Sequence, residues 1–313
     1  MIGDPGRPLL VSTRIGGMDP HGGSEYQREG CVTMRGRHWG LITRLAQIPR
    51  PEHTVGMDLG LKETRALVFG AARGIGRAIA LEFAAEGARV AGLDMASELE
   101  PIAERGDIIK GDVTDPAAVR EFVGRFESID HVVFSVGLGS GKFGFPFWNL
   151  DSEDWRRVLE VNLVGAVNVA HACAPRLIER GSGSMLFLVS VAGQVGSQTD
   201  PPYSAAKAGL INFVQCAAKD LAPHGVRVNA LAPGMVKSDL NRSVWAAAQA
   251  TRAESERIGY EEWGRDKVKK VAPLGRWQEP SEMAAMAVYL ASNRAINITG
   301  QTINIDGGQV MHS

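Results

Sequence analysis

The stretch ALVFGAARGIG, residues 66–76, decides the fold of this 313-residue chain. Its four leading apolar residues predict a buried strand, and its three glycines predict a tight turn into a helix. Ile75, Ile79 and Phe83 recur at every fourth position, which places them on one face of that helix, and Gly87 ends it. A strand, a glycine-rich turn and a helix in this order are typical of a phosphate site, because N–H groups at a helix N-terminus attract anions.

The alternation of apolar strands and helical patterns continues toward the C-terminus. Further strands are predicted at 89–93, 108–109, 131–134, 185–189, 226–231 and 302–305, and further helices at 152–180, 203–221 and 282–292. Strands that are apolar throughout and separated by helices indicate a parallel sheet covered on both faces. We therefore predict a Rossmann-type, doubly wound α/β fold in a single domain, residues 57–313.

Residues 1–56 differ in composition from the rest of the chain. They contain five prolines, several arginines and no lysine, and they show no sustained period of 2 or 3.6 residues. We interpret them as an N-terminal extension that is disordered, or as an artefact of the start site with Met57 as the natural start. A targeting or docking arm is the alternative.

Charge and cysteine content argue against several classes of partner. The net charge of -1 predicts neither a nucleic acid nor an anionic membrane surface as partner. No apolar run approaches the ~20 residues of a bilayer span. The three scattered cysteines predict neither a disulfide framework nor a metal site. The chain starts Met-Ile-Gly-Asp, without the pattern of a secretory signal, so we expect a cytoplasmic protein.

Asp94 follows the second predicted strand, 18 positions after Gly76. A carboxylate there can accept hydrogen bonds from ribose hydroxyls and would repel a 2′-phosphate, so it favours NAD over NADP. The alternative is an ordinary turn aspartate. Arg73 is a competing indication, because a guanidinium beside the turn attracts a 2′-phosphate. We expect Asp112 and Val113, after the third strand, to border the adenine, with Asp112 as a loop cap in the alternative.

Tyr203 and Lys207 lie four positions apart in a predicted helix, so the phenol and the ammonium project from one face. A nearby cation stabilises a phenolate and lowers the pKa of the phenol. Tyr203 could then exchange a proton with a substrate oxygen near neutral pH. The spacing alone is a weak indication, since many helices carry it by chance.

Ser190 and Asn162 strengthen this interpretation. Ser190 follows the fifth strand, 13 residues before Tyr203, at the sheet edge where open α/β folds bind ligands. Its hydroxyl can hold the substrate oxygen; the alternative is a turn or cap residue. Asn162 lies inside the helical pattern, where its amide can free a backbone carbonyl and pass protons through a water to Lys207. Its alternative is a polar residue facing solvent or a neighbouring helix.

In combination and order, these residues resemble the short-chain dehydrogenase/reductase family, from Met57 to about Gly308. The resemblance implies a catalytic tetrad of Asn162, Ser190, Tyr203 and Lys207. It implies cofactor contacts from Gly70, Arg73, Gly74, Ile75, Gly76, Asp94, Asp112, Val113, Ser135, Gly137, Tyr203, Lys207, Pro233, Gly234, Val236 and Ser238. It also implies a seven-stranded sheet, and a homotetramer joined through helices near 152–180 and 203–221.

Two departures from the family pattern concern the adenine side of the cofactor cleft. Phe69 stands where the family usually has threonine, and Phe134-Ser135-Val136-Gly137 replaces Asn-Asn-Ala-Gly. We expect Phe69 and Phe134 to pack together and the tetrad to be unaffected.

A polar helical segment, residues 238–273, contains Trp245, Tyr260 and Trp263. We interpret it as a lid over the substrate, and the equally supported alternative is a surface helix anchored by its aromatics. Residues 139–148 and 193–195 are also expected to line the pocket. No positive cluster identifies a carboxylate or phosphate site.

The sequence therefore favours an NAD-dependent dehydrogenase of a small secondary alcohol, polyol or hydroxy acid. The runner-up is an NADP-dependent 3-oxoacyl-thioester reductase. A third hypothesis is a nucleotide-sensing protein without catalysis, which the complete tetrad argues against.

Overall fold

Residues 58–96, 99–102, 106–144 and 146–311 are described by the computed structural model of the chain. They belong to the unit Met57–Ser313. The prediction of a disordered or artefactual extension at residues 1–56 lies outside the described residues.

Seven parallel strands form one sheet, in the order β3-β2-β1-β4-β5-β6-β7. The strands are β1 Arg65–Phe69, β2 Arg89–Asp94, β3 Gly106–Lys110, β4 His131–Phe134, β5 Gly183–Leu188, β6 Val226–Pro233 and β7 Thr302–Ile305. The order reverses between β1 and β4, so Gly70 and Ser135, which follow these strands, border a crevice at the carboxyl edge. The predicted seven-stranded, doubly wound sheet is confirmed.

Helices cover both faces of the sheet. They are α1 Gly74–Ala85, α2 Pro116–Gly124, α3 Ser152–Leu159, α4 Gly165–Arg180, α5 Pro201–Leu221, α6 Asp239–Ala250, α7 Tyr260–Val271 and α8 Pro280–Ala291. One core contains buried side chains of α2, α4 and α5, and the other contains those of α1 and α8. Phe69 and Phe134 are register partners and lie in the first of these cores, where Phe69 packs edge-on against Phe122. These departures from the family pattern are therefore accommodated by core packing.

Helix α2 is absent from the sequence predictions above. Its start nevertheless carries a recognisable pattern, because Asp115 caps the helix and Pro116 occupies its first position. The Asp115 carboxylate accepts a hydrogen bond from Ala117 N at 2.8 Å.

The helix predicted at 152–180 is interrupted. A π-helical turn, Glu160–Val164, separates α3 from α4. By length and composition alone, the run Ser152–Arg180 could cross a membrane. Its buried side chains Val158, Val169 and Leu177 are instead fully enclosed in this fold. The absence of a membrane partner stays a prediction.

Helices α6 and α7 have a hydrophobic cluster of their own, separate from the two sheet cores. Tyr260, Trp263 and Trp277 are buried in it, and Trp245 packs against it. The Tyr260 ring lies 5.4 Å from that of Trp277 and 5.8 Å from that of Trp245, between ring centroids. The aromatics of this segment therefore pack on one another, as the anchoring alternative expects.

Candidate active site

The carboxyl edge of the sheet opens into a cleft of about 630 Å³. One wall comes from the glycine turn and from the segments that follow β4, β5 and β6 together with the start of α5. The other wall comes from α6 and α7. Most of the predicted site residues lie on the walls: Arg73, Gly74, Ile75, Gly76, Ser135, Gly137, Ser190, Tyr203, Lys207, Pro233, Gly234, Val236 and Ser238. Those that do not are Gly70, Asp94, Asp112, Val113 and Asn162.

Two glycines of the turn, Gly76 and Gly74, are glycine for different reasons. A Cβ on Gly76 would lie 1.9 Å from Gly70 O, so close packing of the turn excludes any side chain there. Gly74 has φ +57, and a Cβ on it would meet nothing within 4 Å, so open space lies in front of its backbone. Space before N–H groups at the start of α1 fits the pyrophosphate of a dinucleotide.

The Asp94 carboxylate connects the end of β2 to the glycine turn through hydrogen bonds. Its Oδ2 accepts a hydrogen bond from Ala72 N at 2.9 Å, and its Oδ1 accepts one from Ala96 N at 3.0 Å. These are the bonds of a turn aspartate, the alternative above. Each carboxylate oxygen keeps a further lone pair that can accept a ribose hydroxyl.

Asp112 and Val113 have structural partners. Asp112 Oδ1 accepts a hydrogen bond from Thr114 N at 2.8 Å, as expected of a loop cap. Val113 is buried, and its carbonyl accepts a hydrogen bond from Asn168 Nδ2 at 3.0 Å. Their contact with an adenine stays a prediction.

Tyr203 and Lys207 project from one face of α5, as predicted. The Lys207 Nζ atom lies 5.5 Å from the centre of the Tyr203 ring and donates to Leu188 O at 2.8 Å. Burial lowers the pKa of Lys207 from 10.5 to about 7. Burial raises the pKa of Tyr203 to about 12, while a hydrogen bond with Ser190 acts in the opposite direction. The predicted lowering of the phenol pKa is therefore not found in the protein alone, because desolvation outweighs the hydrogen bond with Ser190.

Asn162 lies in the π-helical turn and is completely buried, so the solvent-facing alternative is wrong. Its Nδ2 donates to Val158 O at 2.9 Å and to Leu138 O at 2.7 Å, and its Oδ1 accepts from Leu138 N at 3.2 Å. The amide thereby fixes Leu138, which lines the cleft, to the end of α3.

The chain matches the family description enoyl-(acyl carrier protein) reductase over residues 70–310. It is 33% identical to the 3-oxoacyl-[acyl-carrier-protein] reductase FabG of Staphylococcus epidermidis in an alignment of 260 residues that covers 79% of this chain and 98% of that protein. The FabG of Thermotoga maritima is 34% identical over 257 residues, 78% of this chain and 97% of its own. The chain belongs to the short-chain dehydrogenase/reductase family.

Solved structures of this family share the fold. The aldohexose dehydrogenase AldT of Thermoplasma acidophilum superposes with a TM-score of 0.71 at 27% identity, over 81% of this chain and 96% of that one. The L-sorbose reductase of Gluconobacter frateurii, complexed with NADPH and L-sorbose, gives 0.75 at 25% identity, over 82% and 100%. This short-chain dehydrogenase/reductase is therefore an NAD(P)-dependent oxidoreductase that acts on a CH–OH or carbonyl group of a small molecule.

Asp200 also lines the cleft, although the sequence patterns above do not identify it. It is buried at the N-cap of α5. Its Oδ2 accepts a hydrogen bond from Ser140 N at 2.8 Å, and burial raises the pKa of the carboxyl group. The available indication was an aspartate followed by two prolines, a pattern typical of a helix start.

The predicted pocket loops contribute only in part. From residues 139–148, Gly139, Ser140, Gly141 and Phe143 line the cleft, and from 193–195 only Val195 does. The segment 238–273 lines it through the first turns of α6 and through Lys267 and Val271 of α7. Its three predicted aromatics lie elsewhere, in the cluster with Trp277.

Proposed function

We propose that the chain transfers a hydride between NAD(H) and the carbinol or carbonyl carbon of a small secondary alcohol, polyol or hydroxy acid. The observation that carries the proposal is that Ser190, Tyr203 and Lys207 line the same cleft as Gly74, whose backbone has open space before it. A nucleotide held along the turn and a proton donor on α5 can then reach one substrate carbon together.

Each side chain of the site has its own role in the proposed reaction. The nicotinamide, when bound, gives or accepts the hydride. Tyr203 exchanges the proton with the substrate oxygen, and Ser190, which is hydrogen-bonded to Tyr203, orients that oxygen. With a pKa of about 7, Lys207 can both take up and release a proton near neutral pH. Asn162 acts as a positioning residue through its bonds to Leu138.

NAD(H) is the cofactor that we propose for this chain. The Asp94 carboxylate sits at the end of β2 beside the turn, where it would repel a 2′-phosphate. Arg73, the competing residue, has its guanidinium 3.7 Å from the Asp239 carboxylate, which offsets its attraction for a phosphate.

A second candidate is the reduction of a 3-oxoacyl thioester with NADPH. It is favoured by the FabG relatives, which match this chain over nearly their whole length at 33–34% identity. The two candidates share the proton-transfer residues and differ in nucleotide and in the size of the substrate.

One screen tests both candidates. Initial rates are measured at the NAD(P)H absorbance with both nucleotides, on diols, polyols and hydroxy acids and on an acetoacetyl thioester. We expect the highest kcat/KM for NAD(H) with a member of the alcohol and hydroxy-acid set. A preference for NADPH with the thioester would favour the second candidate. Nucleotide binding without oxidation or reduction of any compound would contradict both.

We also propose that the enzyme is a cytoplasmic homotetramer with residues 238–273 as its lid. Exposed apolar side chains on the π-helical turn and α4, Val164, Val167 and Ile178, support assembly through this surface. The free thiols of Cys173 and Cys216 suit a reducing compartment. Sedimentation equilibrium tests the assembly, since a tetramer has four times the 33.5 kDa mass of the chain.

A further inference from the structure

One wall of the cleft carries a lysine with no ion-pair partner among the described residues. Lys267 lies on α7 and lines the cleft, and it is half-buried. Its Nζ atom lies 4.9 Å from the centre of the Trp263 ring. No carboxylate oxygen of the described residues lies within 4.0 Å of this Nζ atom, and burial lowers the pKa of Lys267.

The acidic side chains that line the cleft, Asp200 and Asp239, have other partners than Lys267. Asp239 pairs with Arg73 at 3.7 Å, and Asp200 accepts hydrogen bonds from backbone N–H groups, Ser140 N among them. Within the described ranges, neither lies within ion-pair distance of Lys267. The wall thus presents a positive charge that its own residues leave unpaired.

The surroundings of Lys267 make an anion the appropriate ligand. Met235, Val244 and Val271 line the same cleft and give its lid side an apolar surface. A half-buried ammonium in such surroundings attracts an anion more strongly than an exposed one, because the effective dielectric constant is lower. The cleft also reaches Ser190 and Tyr203, so Lys267 shares one cavity with the proposed proton-transfer residues.

We propose that Lys267 binds a carboxylate of the substrate, and that the enzyme acts on hydroxy acids and the corresponding oxo acids. This inference rests on the proposed function and narrows its substrate class. The carboxylate is held at α7 while the carbinol carbon is placed at Tyr203. Neutral alcohols and polyols of the same length are then poor substrates.

Paired substrates test the inference. Lactate, 3-hydroxybutyrate, 4-hydroxybutyrate and gluconate are each compared with the corresponding amide, which keeps the hydroxyl and removes the charge. We expect at least one acid to exceed its amide in kcat/KM by about 10- to 100-fold, the range for a hydrogen bond to a charged group. In Lys267→Met that preference disappears, mainly through KM, whereas the activity on the amide is kept. Lys267→Arg restores part of the preference.

Lys270→Met is the matched control, because Lys270 lies on the same helix at an exposed position. It should keep the wild-type preference for the acid. Equal rates on acids and amides, or an equal loss on both in Lys267→Met, would overturn the inference and assign Lys267 to packing against Trp263.

A binding measurement separates this inference from the proposed function. If no compound is turned over, the proposed function fails. Calorimetric titration of 3-hydroxybutyrate and gluconate into the NADH-loaded protein then tests the carboxylate site at Lys267. Binding that is lost in Lys267→Met and kept in Lys270→Met supports a carboxylate site. Binding of neither acid, or binding that survives Lys267→Met, contradicts it.

Discussion

The two walls of the cleft hold their charged groups in different ways. On the sheet side, the Lys207 ammonium is fully buried and donates to Leu188 O, and the Asp200 carboxylate accepts hydrogen bonds from two backbone N–H groups. On the lid side, α6 and α7 pack on a separate aromatic cluster, and Lys267 lines the cleft with no ion-pair partner among the described residues. We therefore expect the sheet side to carry the chemistry common to the family, and we propose that the lid side selects the substrate.

The largest effect is expected from a methyl group in the turn. In Gly76→Ala the new Cβ would lie 1.9 Å from Gly70 O, so the turn must distort and NADH affinity should fall more than about 100-fold. Calorimetric titration with NADH and circular dichroism measure binding and folding. Gly259→Ala on the lid side is the control, because its Cβ would meet nothing within 4 Å. Wild-type NADH affinity in Gly76→Ala would show that the turn is not the nucleotide site.

Lys207→Met should change the pH dependence of stability. The pKa of Lys207 is about 7 in the folded protein and 10.5 in the unfolded chain, so the unfolded chain binds more protons between these values. The charge therefore opposes folding most at low pH, and this penalty is lost as the pH rises toward 10.5. From pH 7 to pH 10, the free energy of unfolding of wild type should gain about 2–4 kcal/mol relative to Lys207→Met.

Urea unfolding at the two pH values measures this difference. Lys270→Met, at an exposed lid position, should follow wild type throughout. Parallel pH profiles for wild type and Lys207→Met would mean that the ammonium is not desolvated on the sheet side.

Asp94→Asn should weaken the choice of nucleotide. The amide keeps the shape and an acceptor oxygen but removes the charge that repels a 2′-phosphate, so the preference for NAD over NADP should fall about tenfold or more. Asp107→Asn, at an exposed position of β3, should keep the preference. The ratio of kcat/KM values for the two nucleotides measures it, and an unchanged ratio in Asp94→Asn would assign Asp94 to the turn alone.

The smallest effect concerns the ion pair that joins the two walls. Arg73 and Asp239 are both largely exposed, so Asp239→Asn should change the free energy of unfolding by less than about 1 kcal/mol. Thermal unfolding at low and high salt measures it, with the exposed lid residue Glu256→Gln as control. A substantially larger change would mean that the pair, rather than the aromatic cluster, holds the lid side in place.

The sheet side could be predicted from the sequence because its determinants are local. Apolar runs give the strands, the turn requires glycine at Gly76, and Tyr203 and Lys207 share a helix face by their spacing. The pKa of Tyr203 could not be predicted from the sequence, because it depends on how much water the folded protein removes from the phenol. The π-helical turn around Asn162 carries no pattern that separates it from α-helix.

The lid side depends on packing between segments that are distant in sequence. Lys267 is one of three lysines among four residues, and only the folded structure shows that it is the one that lines the cleft. A Cβ on Gly264 would lie 1.5 Å from the Trp277 ring, so the contact of α7 with Trp277 requires a glycine in α7. Sequence spacing indicates none of these contacts, and Trp245, Tyr260 and Trp263 pack with Trp277 and do not line the cleft.

We propose that Tyr203 exchanges a proton with the substrate while the turn holds the nucleotide. Steady-state turnover and NADH affinity are compared in Tyr203→Phe and in Tyr289→Phe, whose phenol lies on α8 away from the cleft. Tyr203→Phe should lose about 10²- to 10⁴-fold in kcat with NADH affinity unchanged, and Tyr289→Phe should behave as wild type. Wild-type turnover in Tyr203→Phe would contradict the proposed role of Tyr203.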